Sequence, residues 1–297
     1  MTIGLFAQHL VNALSLGSLY ALIAIGYTMV YGVLRLINFA HGEIFMLGSY
    51  IAFYAVTFFF LPWGIAYIVA LGLTGIFGVA VERFAYRPLR NSPRISIMIS
   101  AIGVSFLMQN LGILVFGGRP KNFEVPPVFD TVLRFGEVSL VSVSLFIPVM
   151  TAVLLLVLQT IVRTTKTGMA MRAVSTDLPA ARLMGIDVNK TVMFTFAAGS
   201  VLAAIGGIMW ALRYPQLHPT MGLMPGLKCF IAAVIGGIGN IGGAVLGGLL
   251  LGVIEIMVVA AMPELSGYRD AFAFFLLIAV LLLKPAGLLG KHQIEKV

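Results

Sequence analysis

Two acids stand inside apolar runs of this 297-residue chain, and they are the first places to look for chemistry. Glu43 closes the segment Ile37-Asn38-Phe39-Ala40-His41-Gly42-Glu43, and Glu255 sits within Gly252-Val253-Ile254-Glu255-Ile256. A charge at the centre of a bilayer costs roughly 2.5–3.5 kcal/mol or more, so such residues face a bundle interior or a water-filled cavity. Each acid has two readings. One is a place on a translocation pathway. The other is structural: Glu43 at an interface or a helix N-terminus, where its charge complements the dipole, and Glu255 neutral and paired. Asn38 and His41 raise the idea of a metal site or proton relay. One His with one Glu at this spacing is a poor metal set, and the histidines at 9, 41, 218 and 292 form no His-x-x-x-His pair, so no metal is expected. No catalytic residues are expected either. The chain has no Gly-x-x-x-x-Gly-Lys-[Ser/Thr] phosphate loop, no His-Glu-x-x-His and no Gly-x-Ser-x-Gly elbow. If ATP drives this protein, a separate chain supplies the ATPase.

The elements that position these residues follow from composition. Hydrophobic residues make up 60% of the chain, charged residues only 10%, and mean hydropathy is +1.05. Soluble domains carry about 25% charge. A soluble enzyme, a disordered chain and a disulfide scaffold are excluded, and the single Cys229 rules out an internal disulfide or a multi-cysteine metal site. The expectation is an all-α polytopic membrane protein with eight or nine crossings, since a span takes about 20 residues. Apolar segments fall near 8–33, 43–60, 64–81, 95–116, 144–162, 191–212, 227–239, 241–262 and 270–283. Met1 to Leu10 carries no Lys or Arg, and the run passes Leu16 without a small-residue cleavage site. It reads as the start of the first span rather than a signal peptide.

The net charge of +8 admits a nucleic-acid partner until the charges are placed. Arg83, Arg87, Arg90 and Arg94 cluster in one loop, Arg163, Lys166, Arg172, Arg182 and Lys190 in a second, and Lys284, Lys291 and Lys296 in the tail. Basic loops stay cytoplasmic, which puts the 82–94 loop, the 163–190 loop and the C-terminus inside. The balanced 117–143 segment is placed outside, as an irregular loop with one small hairpin around Val132, Arg134, Val138 and Leu140. Lys228 falls among the outer basic residues in this scheme. The basic balance is thus a topology signal, with the lipid bilayer as partner and no nucleic acid. One transmembrane domain spans 1–297.

Two segments interrupt the apolar pattern, 37–43 and the glycine-rich 235–243. They are either broken helices at membrane depth, which point to a transport pathway, or tight cytoplasmic turns. Gly239, Gly243 and Gly247, and likewise Gly248 and Gly252, repeat every four residues, the spacing of close helix packing. In the 163–190 loop, Thr176 or Asp177 caps a short helix, Pro179 fits its first turn and Gly185 ends it. One face of that helix carries Leu178, Ala181 and Met184 or Leu183.

These blocks resemble the LivH-type permeases, membrane subunits of bacterial ABC importers for branched-chain amino acids. The likeness rests on Tyr20 to Gly32 with Ile37 to Glu43, on Glu82 to Arg90, on the Gly168 to Ile186 loop and on Ala232 to Gly239, and it runs from about residue 8 to about 290. It implies an ABC importer permease fold, with the 163–190 loop as the coupling loop and 117–143 as a periplasmic loop. It further implies a second, related permease, two cytoplasmic ATPase subunits that use ATP and Mg, a periplasmic substrate-binding protein and the bacterial inner membrane. Leucine, isoleucine and valine are the implied solutes, with urea, short amides or another small solute as the alternative. An intramembrane enzyme or a transporter acting alone are more distant readings. The translocation-pathway candidates are Asn38, His41, Glu43, Gly236, Gly237, Gly239, Asn240 and Glu255. The ATPase-coupling candidates are Arg172, Asp177, Ala180, Ala181, Arg182 and Gly185. Pro179 stands where such coupling loops usually carry an acid before the paired alanines.

Overall fold

The computed structural model describes residues 3–90, 92–136 and 138–290, so Glu137, Lys291, His292 and Lys296 lie outside the described residues. Twelve α-helices are described: α1 (Ile3–Leu34), α2 (His41–Thr57), α3 (Trp63–Val81, extended by a π-turn over Glu82–Tyr86), α4 (Arg94–Phe116), α5 (Pro127–Asp130), α6 (Ser142–Thr164), α7 (Lys166–Thr176), α8 (Leu178–Leu183), α9 (Val188–Arg213), α10 (Leu223–Gly236), α11 (Ile241–Ala261) and α12 (Arg269–Leu283). Seven of the described helical stretches are long and apolar enough to cross a membrane, α12 together with the 3-10 turn Pro263–Tyr268 that precedes it. This is an all-α, multi-pass membrane protein.

All nine apolar segments read from the sequence form helices, with two departures from simple spans. Helix α2 has 17 residues and α10 has 14. At 1.5 Å per residue these reach about 25 and 21 Å, short of a hydrocarbon core of about 30 Å. Each short helix adjoins one of the interrupted segments.

The core is α1, buried almost throughout from Ala13 to Val33. It is apolar on every side because it has neighbours on every side. Helix α11 lies antiparallel along it. A Cβ added at Gly252 would fall 2.3 Å from the Gly17 Cα, and one at Gly248 would fall 2.4 Å from the Ala21 nitrogen. The four-residue glycine spacing therefore exists for backbone contact. Gly243 and Gly247 do the same against Gly236 and Ala232 of α10, which runs antiparallel to α11.

One face of the bundle gathers the C-terminal ends of α1, α3, α6, α10 and α12 and the N-termini of α9 and α11. It carries Arg35, the arginines after α3, and the α7–α8 segment, and is called the basic face here. The opposite face holds the loop after α4. There β1 (Lys121–Asn122) pairs antiparallel with β4 (Gln216–Leu217), and β2 (Val132–Phe135) with β3 (Val138–Val141). The β2–β3 pair is the small hairpin expected from the alternation of Val132, Arg134, Val138 and Leu140.

The basic-face connection folds as its capping residues dictate. Asp177 Oδ1 accepts from the Ala180 amide at 2.9 Å and starts α8. Gly185, at φ 81°, ends the turn after it, a conformation that favours glycine. Asp187 Oδ1 accepts from the Lys190 amide at 3.1 Å and starts α9, and that amide holds the Asp187 carboxyl below the usual carboxylate range. The expected apolar face of α8 is split. Ala181 is buried against the bundle, whereas Leu183 and Met184 are exposed; Leu183, two residues on, falls about 200° around the helix from Ala181.

Candidate functional site: the junction of two short helices

Helix α1 ends at Leu34, and Arg35 takes a left-handed conformation at φ 54°. The chain then turns back along α1 without regular structure before α2 starts at His41. The His41 imidazole rests on Gly26, where a Cβ would fall 2.6 Å from Nε2. Gly26 lies eight residues before the α1 terminus, so α2 starts about 12 Å inside the bundle from the basic face. Segment 37–43 is therefore an internal break. Asn38 is buried within it, and its Oδ1 accepts from the Tyr86 hydroxyl at 2.8 Å, which ties the break to the π-turn after α3. The His41 ring packs on Tyr27, with centroids 4.4 Å apart.

Helix α10 begins where α2 begins. Gly42 and Gly222 are in backbone contact: a Cβ on Gly222 would fall 2.0 Å from the Gly42 oxygen, and one on Gly42 would fall 2.4 Å from the Gly222 oxygen. Two helix N-termini thus meet inside the bundle. Next to them Glu43, 1% exposed, accepts through Oε1 from Gln109 Nε2 at 2.8 Å and from Ser105 Oγ at 3.4 Å, both on α4. A cavity of about 140 Å³ opens beside Glu43, walled by Phe39, Ile102, Phe106, Leu227 and Phe230.

The second interruption has a different geometry. Gly237 at φ 103° and Gly239 at φ 94° form the turn between α10 and α11. It lies beside Gly32 near the end of α1, and Gly239 is exposed. Asn240 caps α11, its Oδ1 accepting from the Gly243 amide at 3.2 Å. The chain after α12 folds back over this turn: the Leu288 and Leu289 amides donate to the Ile235 and Gly236 carbonyls, and Asn240 Nδ2 donates to the Leu289 carbonyl at 2.8 Å. Of the two readings open for 235–243, the tight turn is the one found, and Gly236, Gly237, Gly239 and Asn240 are part of its packing.

Glu255, on α11, has a different set of partners from Glu43. It is buried, accepts from Tyr20 Oη at 2.9 Å and from Lys228 Nζ at 2.8 Å, and Lys228 also reaches Asp270 at 2.7 Å. Lys228 is therefore not an outer-loop cation. It is 8% exposed and joins α10, α11 and α12. Asn38, His41 and Glu43 lie along one break but take different partners, Tyr86, Tyr27 and the α4 pair, and of the three Glu43 lines the cavity; Glu255 and the 236–240 turn lie elsewhere. Sequence reading missed Ser105, Gln109 and Lys228. The first two were signalled by two polar residues four apart in an apolar span, which share one helix face.

In the coupling segment, Asp177, Ala180, Arg182 and Gly185 are exposed on the basic face, while Ala181 points inward. Arg172 folds back to donate to the Val162 carbonyl of α6.

Residues 9–281 match the family described as branched-chain amino acid transport system / permease component. The chain belongs to that family. Among curated relatives, the permease is 42% identical to the high-affinity branched-chain amino acid transport system permease protein BraD of Pseudomonas aeruginosa, over 98% of each chain. It is 40% identical to the LivH permease protein of Salmonella typhimurium, again over 98% of each. More distantly, it is 25% identical to the ribose import permease protein RbsC of Haemophilus influenzae, over 93% of this permease and 84% of that relative.

Proposed function

We propose that this chain is the membrane-spanning permease subunit of an ATP-driven importer that moves leucine, isoleucine and valine across a bacterial inner membrane. The reading is carried by the 42% identity to BraD over 98% of both chains. A second, related permease completes the membrane unit, and a periplasmic binding protein delivers the solute. Two cytoplasmic ATPases, binding ATP and Mg, dock on the basic face, with the C-terminus on the same side. The exposed Leu183 and Met184 beside Arg182 offer them an apolar knob with a cationic edge.

ATP binding that favours one arrangement of the ATPases biases the bundle between inward-facing and outward-facing states. Helices α7 and α8 transmit the motion, because α8 is held at one end by the Asp177 cap and at the other by the Gly185 turn. The solute passes the break at Asn38, His41 and Glu43, where irregular backbone is tolerated because it is enclosed by protein. Urea, short amides and sugars are the competing solutes. The reading is tested in cells lacking their own branched-chain transporters that express this chain with its partner subunits. High-affinity leucine uptake that other branched-chain amino acids inhibit, and urea and ribose do not, is expected. Uptake of urea or ribose with none of leucine overturns it.

A further inference from the structure

We propose that the cavity beside Glu43 is a transient binding site for a free α-amino acid, with Glu43 taking the ammonium group and the start of α10 taking the carboxylate. The proposal rests on the import reading above and names the groups by which the solute is held. Its first support is an unsatisfied atom. Glu43 is 1% exposed, and while Oε1 accepts from Gln109 and Ser105, Oε2 has no hydrogen-bond partner. A buried carboxylate oxygen without a donor is costly, and Glu43 is one of the residues that line the cavity. An ammonium brings positive charge and three donors. Gln109 and Ser105 fix the other oxygen, so the carboxylate is held in place before any ligand arrives.

The second support is the N-terminus of α10, a 14-residue helix whose Gly222, Leu223 and Gly226 line the same cavity. It has neither a side-chain cap nor an acid in its own first turn, and the positive end of its dipole suits a carboxylate. The first turn of α2 differs, because Glu43 itself stands there. The third support is the wall. Phe39, Ile102, Phe106 and Phe230 give an aliphatic side chain an apolar surround. The volume of about 140 Å³ compares with the roughly 150 Å³ cavity that takes a benzene molecule. A neutral amide or a sugar could donate to Oε2 but brings no positive charge to it.

The experiment uses the complete transporter with Cys229→Ser and Leu223→Cys in this chain. The labelling rate of the introduced thiol is read with millimolar leucine, isopentylamine (leucine without its carboxylate) or isocaproate (leucine without its amine). Leucine is expected to slow labelling several-fold, isopentylamine less, and isocaproate not at all. Glu43→Gln removes the protection by leucine, and Glu43→Asp keeps part of it. Protection by isocaproate equal to that by leucine, or full protection by leucine in Glu43→Gln, overturns the site. Should Glu43→Gln fail to assemble, the comparison of isopentylamine with isocaproate on the Glu43 protein decides. ATP-dependent leucine uptake is measured on the same preparation. Uptake without protection refutes this site alone, whereas uptake of another solute and not leucine refutes the import reading.

Discussion

Replacing Lys228 with methionine removes the cation that two carboxylates share. In the native protein its Nζ lies 2.8 Å from Glu255 and 2.7 Å from Asp270. Without it, Glu255 stays buried at 5% exposure and keeps only the Tyr20 hydroxyl at 2.9 Å. Breaking a buried pair from one side costs about 3–5 kcal/mol, because the remaining charge is stranded. Asp270 is half exposed, at 48%, and water replaces its partner, so Asp270→Asn is expected to cost no more than about 1 kcal/mol. The double variant Lys228→Met with Glu255→Leu removes both buried charges and leaves mainly the Tyr20 hydroxyl unpaired, a loss of about 1–3 kcal/mol. The double variant is therefore more stable than Lys228→Met alone. The assay is reversible unfolding in mixed micelles, followed by tryptophan fluorescence, since the Trp210 ring lies 6.3 Å from that of Tyr20. A Lys228→Met variant within about 0.5 kcal/mol of the parent, or a double variant whose loss equals the sum of the two single ones, refutes the reasoning.

Further outcomes follow from the same geometry. Gly222→Ala forces a Cβ to within 2.0 Å of the Gly42 carbonyl oxygen, whereas Gly64→Ala meets nothing within 4 Å; thermal melts should show a large loss for the first and little change for the second. Gly185→Trp strains a φ of 81°, and with Arg182→Glu it should reduce ATPase co-purification and ATP-dependent uptake together; survival of both activities removes the coupling role. Cys229 is fully buried, so maleimide labelling of the folded protein should be negligible and should appear on denaturation. Tyr86→Phe deletes the hydrogen bond to Asn38, an expected loss of about 1 kcal/mol, and faster hydrogen exchange across 36–41 should report it.

The helices were legible because a membrane span needs a long apolar run, and seven of the nine apolar segments form helices of that length. Capping chemistry is local, so Asp177 and Gly185 could be placed on the coupling segment without knowing the fold. What failed depended on distant partners. The glycine pattern of 235–243 is the same for a broken span and for a turn between helices. Only the return of Leu288 and Leu289 onto Ile235 and Gly236, some fifty residues later in the chain, decides it. Lys228 stands near the edge of an apolar run, and charge counting put it in the outer loop. Its partners Glu255 and Asp270 come from two other helices. Glu43 was visible as an acid in apolar surroundings, but its donors Ser105 and Gln109 lie more than sixty residues away. The meeting of Gly42 with Gly222 has no local signal at all, because Gly222 belongs to a stretch that reads as loop.

The most direct test of the import reading is labelled-leucine uptake into proteoliposomes that hold the complete transporter, with ATP inside or outside. Accumulation above the external concentration that requires both hydrolysable ATP on the basic-face side and the binding protein is the predicted result. Leucine that only equilibrates, at a rate indifferent to ATP, would contradict it.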